Sequence, residues 1–107
     1  MAAAVVVVAS FQIKPGMVDE AIAALTPTIE QTHAEEGCIS YALHRDSADP
    51  NHLVLLERWT SQEALEKHLQ QPYVADLGKV AGDFLQDGTE VTFCSPVPIG
   101  DPAKGAL

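Results

Sequence analysis

The stretch that decides the fold reads HLVLLERWTSQEALEKH and covers residues 52–68. Its first half, residues 52–59, is rich in residues that favour strands, and side chains along a strand alternate between two faces. Glu57 and Trp59, the only tryptophan, then share one face. Thr60 begins the second half, where the run TSQE matches the S/T-x-x-E capping box that starts helices. The sequence therefore predicts a strand that leads directly into a helix.

The helix that follows Thr60 carries one titratable side chain on its apolar face. Residues at i, i+3 and i+4 spacing share a helix face, and here that face holds Ala64, Leu65, His68 and Leu69. If the helix folds back over the strand, His68 comes close to Glu57 and Trp59. An imidazole and a carboxylate beside an aromatic ring form a candidate catalytic site.

The remaining sequence predicts three further strands and two further helical segments. Pro27 lies inside the first helical segment and predicts a kink there, or a break into two helices at Thr26. Gly37 is expected to stop that helix. The run 46–51 is a turn by composition, so the strands on either side should form a hairpin. The predicted strands cover residues 5–13, 38–45 and 89–95, and the predicted helices cover residues 17–36 and 73–85.

The element order β-α-β-β-α-β predicts an α+β class fold, a ferredoxin-like antiparallel sheet with its helices on one face. The first strand and the strand over 52–59 are apolar on both faces, whereas the helices can cover only one. A large uncovered apolar face usually marks an interface. We therefore expect a homodimer in which two copies of the chain cover each other's sheets.

Composition excludes several classes of partner. With 107 residues and a net charge of −9, this is one domain that would repel nucleic acid and anionic membranes. The apolar run near the N-terminus is too short to span a bilayer, so we expect a cytoplasmic protein. Cys38 and Cys94 are expected to be free thiols. We assign residues 1–97 to the domain and residues 98–107 to a Pro/Gly-rich tail.

Several short motifs, in this order and spacing, resemble the antibiotic biosynthesis monooxygenase family, which includes small quinol monooxygenases. The resemblance covers residues 5–97. Its carriers are Lys14-Pro15-Gly16, Glu35-Glu36-Gly37-Cys38 leading into Tyr41, Arg45-Asp46, Asp49-Pro50-Asn51, Glu57-Arg58-Trp59 and the segment from His68-Leu69 to Pro72.

The resemblance implies a dimeric α/β barrel with a pocket in each subunit between the sheet and its helices. It also implies oxidation of electron-rich phenols or quinols with O2, without flavin, haem or metal. Two positions depart from the family. Many members carry His after the proline of the second-helix segment, where this chain has Tyr73. The polyphenol-oxidising members carry Asn before the tryptophan, where this chain has Leu55.

Each candidate residue has a catalytic and a structural interpretation. His68 would be the base that produces a phenolate, or a side chain that only fills a gap between helix and sheet. Glu57 would orient His68 or take a substrate proton, or form an ion pair with Arg58 or Arg45.

Aromatic side chains would enclose the substrate. Trp59 and Tyr41 would form the pocket walls, although both are also natural core residues. Tyr73 would donate a hydrogen bond to a bound oxygen atom, and Leu55 would line the pocket. Alternation along the strand over 38–45 places Ile39, Tyr41 and Leu43 on one face, and Cys38 on the other.

Other chemistries find little support in the sequence. There is no HxH, HExxH or CxxC spacing, no glycine-rich phosphate loop and no Gly-x-Ser-x-Gly motif. The sequence favours a cofactor-independent monooxygenase that acts on a small aromatic quinol and O2. An isomerase acting on a small hydroxy-carbonyl compound, a non-catalytic small-molecule-binding dimer and, less favoured, a haem-degrading enzyme are the alternatives.

Overall fold

A computed structural model describes residues 4–107 of the chain, so the first three residues of the predicted domain lie outside it. The order of elements agrees with the prediction, and the two helical segments after the third strand are separate helices. The elements are β1 (Val5–Gln12), α1 (Val18–His33), β2 (Cys38–Arg45), β3 (His52–Trp59), α2 (Gln62–Leu69), α3 (Pro72–Ala81) and β4 (Glu90–Cys94).

The four strands form one antiparallel sheet in the order β2-β3-β1-β4. This order, with helices in the connections, confirms the predicted α+β ferredoxin-like fold. The sheet of the single chain is open, and β2 and β4 are its edge strands. β3 lies in the interior, directly beside β1, so the stretch that decided the prediction also occupies the centre of the fold.

Strand alternation places the core on one side of the sheet. Side chains at the odd positions of β3 are buried, and those at its even positions are only partly so. The buried positions face α1 and α2 and form a core with Tyr41 and Leu65. We call the other side the open face. Its central strands contribute Val6, Val8, Ser10, Val54, Leu56 and Arg58, which alternate with the core positions.

The helix α1 runs without interruption through Pro27. The predicted break at Thr26 does not occur. Thr26 instead donates its side-chain hydroxyl to the Ile22 carbonyl at 2.7 Å, and Pro27 lies on the exposed side of the helix. Proline is least disruptive there, because the carbonyl that loses its backbone partner can reach water.

Three predicted helix boundaries are wrong, and one of them is the end of α3, which lies at Ala81 instead of residue 85. The helix α1 ends at His33, so Gly37 is not its stop. Gly37 is required for a different reason, since a Cβ atom there would lie 2.3 Å from the Cβ of Ala64 in α2. The N-cap of α2 is Ser61, not Thr60: the Ser61 hydroxyl accepts the backbone N–H of Ala64 at 3.1 Å.

The predicted alternation of β2 fails at its beginning because of a β-bulge. Cys38 pairs with Trp59 and Ser40 pairs with Arg58, which leaves Ile39 as the extra residue. The bulge turns Ile39 outward, with 49% of its surface exposed, and brings Cys38 to the core side beside Tyr41. Cys38 therefore joins the face that the sequence assigned to Ile39.

No helix within residues 4–107 is long and apolar enough to cross a membrane.

Candidate active site

Three rings pack together where α2 crosses the exit of β3. The His68 ring lies 4.6 Å from the Trp59 ring and 5.3 Å from the Tyr41 ring, measured between centroids, with tilted planes. Tyr41 also meets Trp59 edge to face at 6.2 Å. The sequence prediction that α2 folds back and brings His68 to Trp59 is confirmed. His68 is only 2% exposed, so its imidazole is held in an aromatic, nearly dry environment.

A carboxylate that the sequence analysis did not select holds His68. The Nδ1 atom of His68 lies 2.8 Å from Oε2 of Glu35, which stands between α1 and β2. The Tyr73 hydroxyl donates to the same Glu35 oxygen. The prediction that Glu57 is the partner of His68 is wrong in this respect. Because Glu35 occupies Nδ1, the Nε2 atom is the nitrogen that can act on a substrate.

Glu57 has a different partner, the indole of Trp59. The indole Nε1 donates to Glu57 Oε1 at 3.0 Å, and both side chains are buried. Glu57 forms no ion pair with Arg45 or Arg58 in the described residues, and Arg58 lies on the open face. Burial raises the pKa of Glu57 above its usual range, and the Trp59 hydrogen bond and the nearby His68 oppose that shift.

Both tyrosines of the chain touch this cluster, and their hydroxyls resist ionisation. Burial raises the pKa of Tyr41 well above its ordinary value, and the carboxylates of Glu57 and Glu35 add to the shift. Burial and the bond to Glu35 raise the pKa of Tyr73 to about 12. Burial, with the same two carboxylates, also raises the pKa of Cys38. Burial and the nearby carboxylates therefore act in the same direction on all three groups and favour the neutral phenols and thiol.

The centre of the cluster is packed rather than open. Trp59 is fully buried and Leu55 is 2% exposed, and neither lines the two grooves that meet the cluster. A groove of about 590 Å³ runs along the β2 edge, and Tyr41 and Cys38 line it. These two side chains also pack against the cluster, so they form the wall between the groove and His68.

A second groove meets the cluster from the other end. It has a volume of about 480 Å³ and lies at the junction of α2 with the segment before β2, where Glu35, Gly37 and Lys67 line it. The Glu35 side chain is 15% exposed. Glu35 therefore contacts both the buried imidazole and the surface.

The arrangement can move protons in a dry, aromatic environment. His68 offers one nitrogen, Glu35 offsets the charge of a protonated imidazole, and Glu57 is a second carboxylate held apart by Trp59. Within residues 4–107, no three His, Cys, Asp or Glu side chains converge in a way that could hold a metal ion.

Comparison with known proteins identifies the family. The family model described as antibiotic biosynthesis monooxygenase matches residues 4–79. A Mycobacterium tuberculosis protein named "Putative monooxygenase Rv0793" is 36% identical over 97 residues, which cover 91% of this chain and 95% of that protein. The solved structure of Rv0793 superposes with a TM-score of 0.82 at 33% identity, covering 88% of this chain and 95% of that one.

Two further relatives differ in how much of their length is matched. The "Probable quinol monooxygenase YgiN" of Escherichia coli is 33% identical, over 75% of this chain and 88% of its own. The uncharacterized protein sll1783 of Synechocystis is 32% identical over 81% of this chain, which spans only 59% of that protein. The names of Rv0793 and YgiN support a monooxygenase-like function at the level of the family. On these matches, and on the fold and cluster described above, the chain belongs to the antibiotic biosynthesis monooxygenase family.

Proposed function

We propose that this protein is a cofactor-independent monooxygenase that oxidises a small quinol or phenol with O2. The observation that carries the proposal is the buried His68 imidazole, enclosed by Trp59 and Tyr41 and held at Nδ1 by Glu35. A planar aromatic substrate that displaced Tyr41 could stack on these rings while its hydroxyl met Nε2 of His68.

Proton removal begins the proposed reaction. His68 takes the proton of a quinol hydroxyl through Nε2, and Glu35 offsets the positive charge that results. The phenolate passes one electron to O2, and the two radicals combine to form a carbon–oxygen bond. The peroxide then loses one oxygen atom as water. A quinol and O2 thus become a hydroxyquinone and water, with all atoms and electrons accounted for.

The surroundings favour this chemistry over release of the radicals. A dry site strengthens the attraction between the imidazolium and the phenolate, since few water dipoles screen them. Glu57 is held by the Trp59 indole at 3.0 Å, and its raised pKa suits a group that takes up a proton late in the reaction. Tyr73 donates its single hydroxyl proton to Glu35, so its part is to hold that carboxylate against His68.

The open face supports a homodimer as the working form. Val8, Val54 and Leu56 lie on the central strands of that face and are partly exposed. Arg58 is a second indication of an interface on this face. Its Nε atom is buried and has no hydrogen-bond partner within residues 4–107. A second copy packed sheet to sheet would cover the apolar side chains and could supply an acceptor to Arg58.

An isomerase acting on a small hydroxy-carbonyl compound is the second candidate. It is favoured by the two carboxylates that flank His68, since moving a double bond requires one group to remove a proton and another to return it.

Oxygen uptake separates the candidates. Purified protein, treated with a chelator, is given a panel of neutral hydroquinones in an oxygen electrode, and the products are analysed for a hydroxyquinone. The monooxygenase predicts uptake above the rate of autoxidation in buffer. Conversion of a hydroxy-carbonyl compound under nitrogen would identify the isomerase instead. Binding without conversion in either gas would leave a binding protein and contradict both proposals.

A further inference from the structure

A second chain of hydrogen-bonded groups lies on the open face, away from His68. The Ser10 Oγ atom lies 2.5 Å from Nε2 of His52, and Nδ1 of the same imidazole lies 2.9 Å from Oδ2 of Asp46. A carboxylate and an imidazole activate a serine hydroxyl through the same connections: the carboxylate bonds to Nδ1 of the imidazole, and the hydroxyl bonds to Nε2. No part of the proposed oxygenase reaction uses it.

The three groups come from different elements and are held in place by the backbone. Ser10 is on β1, His52 begins β3, and Asp46 stands in the turn between β2 and β3. The second oxygen of Asp46 accepts the backbone N–H of Ala48 at 2.8 Å, and the Asp46 N–H donates to the His52 carbonyl at 2.9 Å. The hairpin that sets the register of β2 and β3 therefore also fixes the carboxylate against the imidazole.

The charge of Asp46 favours the tautomer of His52 that can accept the Ser10 proton. The hydrogen bond from His52 and the N–H of Ala48 lower the pKa of Asp46 below its ordinary value, so the carboxylate stays ionised. An ionised acceptor at Nδ1 selects the tautomer that carries its proton there, which leaves Nε2 free to accept from Ser10.

A small polar groove gives access to the serine. It has a volume of about 240 Å³ and is lined by Ser10, His52, Gln12, Asp87, Gly88 and Glu90. The carboxylates of Asp87 and Glu90 would repel an anionic substrate. The groove lies where β4 begins, since Ser10 pairs with Glu90, and so at one end of the open face rather than at its apolar centre.

We propose that Ser10 is a nucleophilic serine, activated by His52 and Asp46, that accepts an acyl group from a small uncharged ester. The Ser10 oxygen attacks the ester carbonyl carbon while His52 Nε2 takes the hydroxyl proton. The bond to the leaving alkoxide breaks, and His52 returns the proton to it, so that an alcohol leaves and an acyl-serine remains. Water then attacks that ester with His52 again as base, which releases a carboxylic acid and restores Ser10.

This inference is independent of the proposed oxygenase. His68 and Ser10 lie on opposite faces of the sheet, because Ser10 is at an even position of β1 and the His68 cluster packs on the odd positions. Loss of either group should leave the chemistry of the other unchanged.

The test is acylation of the whole chain by p-nitrophenyl acetate, followed by release of nitrophenolate, intact mass and peptide mapping. We expect one acetyl group per chain, located on Ser10. His52→Ala should slow acylation on the order of 10²-fold or more, the usual contribution of a general base. The anionic p-nitrophenyl hemisuccinate should react more slowly than the acetate.

Two controls separate activation from general reactivity. His44→Ala removes an exposed imidazole that also lies on the open face but whose Nδ1 meets only the Ala42 carbonyl, and it should acylate at the wild-type rate. Ser10→Ala, checked for native circular dichroism, should abolish the adduct. The proposal would be overturned if the wild-type protein neither carried an adduct on Ser10 nor released nitrophenolate faster than Ser10→Ala, because an acyl-serine must either accumulate or turn over. Equal rates for His52→Ala and wild type would also overturn it.

Discussion

The Nδ1 atom of His68 and the Oε2 atom of Glu35 lie 2.8 Å apart, although the two residues are separated by 33 positions in the chain. This contact joins the helix α2 to the segment between α1 and β2, and Tyr73 on α3 closes it from the other side. Orientation of the buried imidazole therefore depends on three separate parts of the fold. In the proposed reaction, an imidazole held in this way is preorganised before substrate arrives.

Glu35→Gln should reduce quinol oxidation on the order of 10²-fold, because an amide cannot offset the charge of a protonated His68. The fold should persist, since the amide oxygen can still accept a hydrogen bond. Oxygen uptake at saturating quinol is the measurement. Glu36→Gln is the matched control, because Glu36 is the next residue and is exposed. Equal activity of the two variants would remove Glu35 from the mechanism.

Glu57 should make stability fall as pH rises. Its pKa is raised in the folded protein above the ordinary 4.5, so the folded state binds more protons than the unfolded chain between those two values. The protonated group is tolerated at low pH, and the buried charge destabilises the fold once pH passes the raised pKa.

Urea unfolding of wild type and Glu57→Gln across pH 4 to 8 tests this linkage. The wild-type free energy of unfolding should decline relative to the variant as pH rises. Glu63→Gln, at an exposed position on α2, serves as the control and should leave the pH dependence of wild type unchanged. A constant difference between wild type and Glu57→Gln would mean that Glu57 ionises normally.

The two tyrosines should ionise only at unusually high pH in the folded protein. Burial and the nearby carboxylates raise the pKa of Tyr73 to about 12 and that of Tyr41 well above its ordinary value. In the unfolded chain both should ionise near pH 10. Since the folded state then binds more protons, stability should fall as pH rises from roughly 10 toward 12.

Ultraviolet titration of tyrosinate follows this directly. Folded protein at roughly pH 11 should show little tyrosinate, and addition of urea at that pH should release the full signal of both residues. Tyr73→Phe should leave a single late titration from Tyr41. Ionisation of either tyrosine near pH 10 without unfolding would contradict the buried arrangement.

Leu56→Lys should convert the proposed dimer into monomers. Leu56 lies at the centre of the open face, and a second copy would place two lysines, beside Arg58, in an apolar interface. Sedimentation velocity should show wild type at about twice 11.4 kDa and the variant near 11.4 kDa. Val80→Lys, at a position 44% exposed on α3, should stay dimeric. A wild-type protein of 11.4 kDa at micromolar concentration would refute the dimer.

Those parts of the site that depend on local periodicity could be predicted from the sequence. Alternation along β3 placed Glu57 and Trp59 on the core face, and helical spacing placed His68 opposite them. Glu35 was missed because the predicted helix ran to residue 36, whereas α1 ends at His33 and Glu35 lies in the segment beyond it. Its contact with His68 depends on how α2 packs against the segment before β2.

Two further errors have local causes. Cys38 was assigned to the wrong face because the alternation of side chains along the strand does not reveal the bulge at Ile39. The N-cap was misplaced by one residue because Thr60 and Ser61 both suit the position, and the strand pairing that carries the chain through Thr60 decides between them.

The most direct test of the central claim is oxygen uptake with a neutral hydroquinone by wild type, His68→Gln and the control His44→Gln, each with native circular dichroism. We predict that His68→Gln loses on the order of 10²-fold in rate while His44→Gln matches wild type. Uptake by His68→Gln at the wild-type rate would contradict it, because the base would then lie elsewhere.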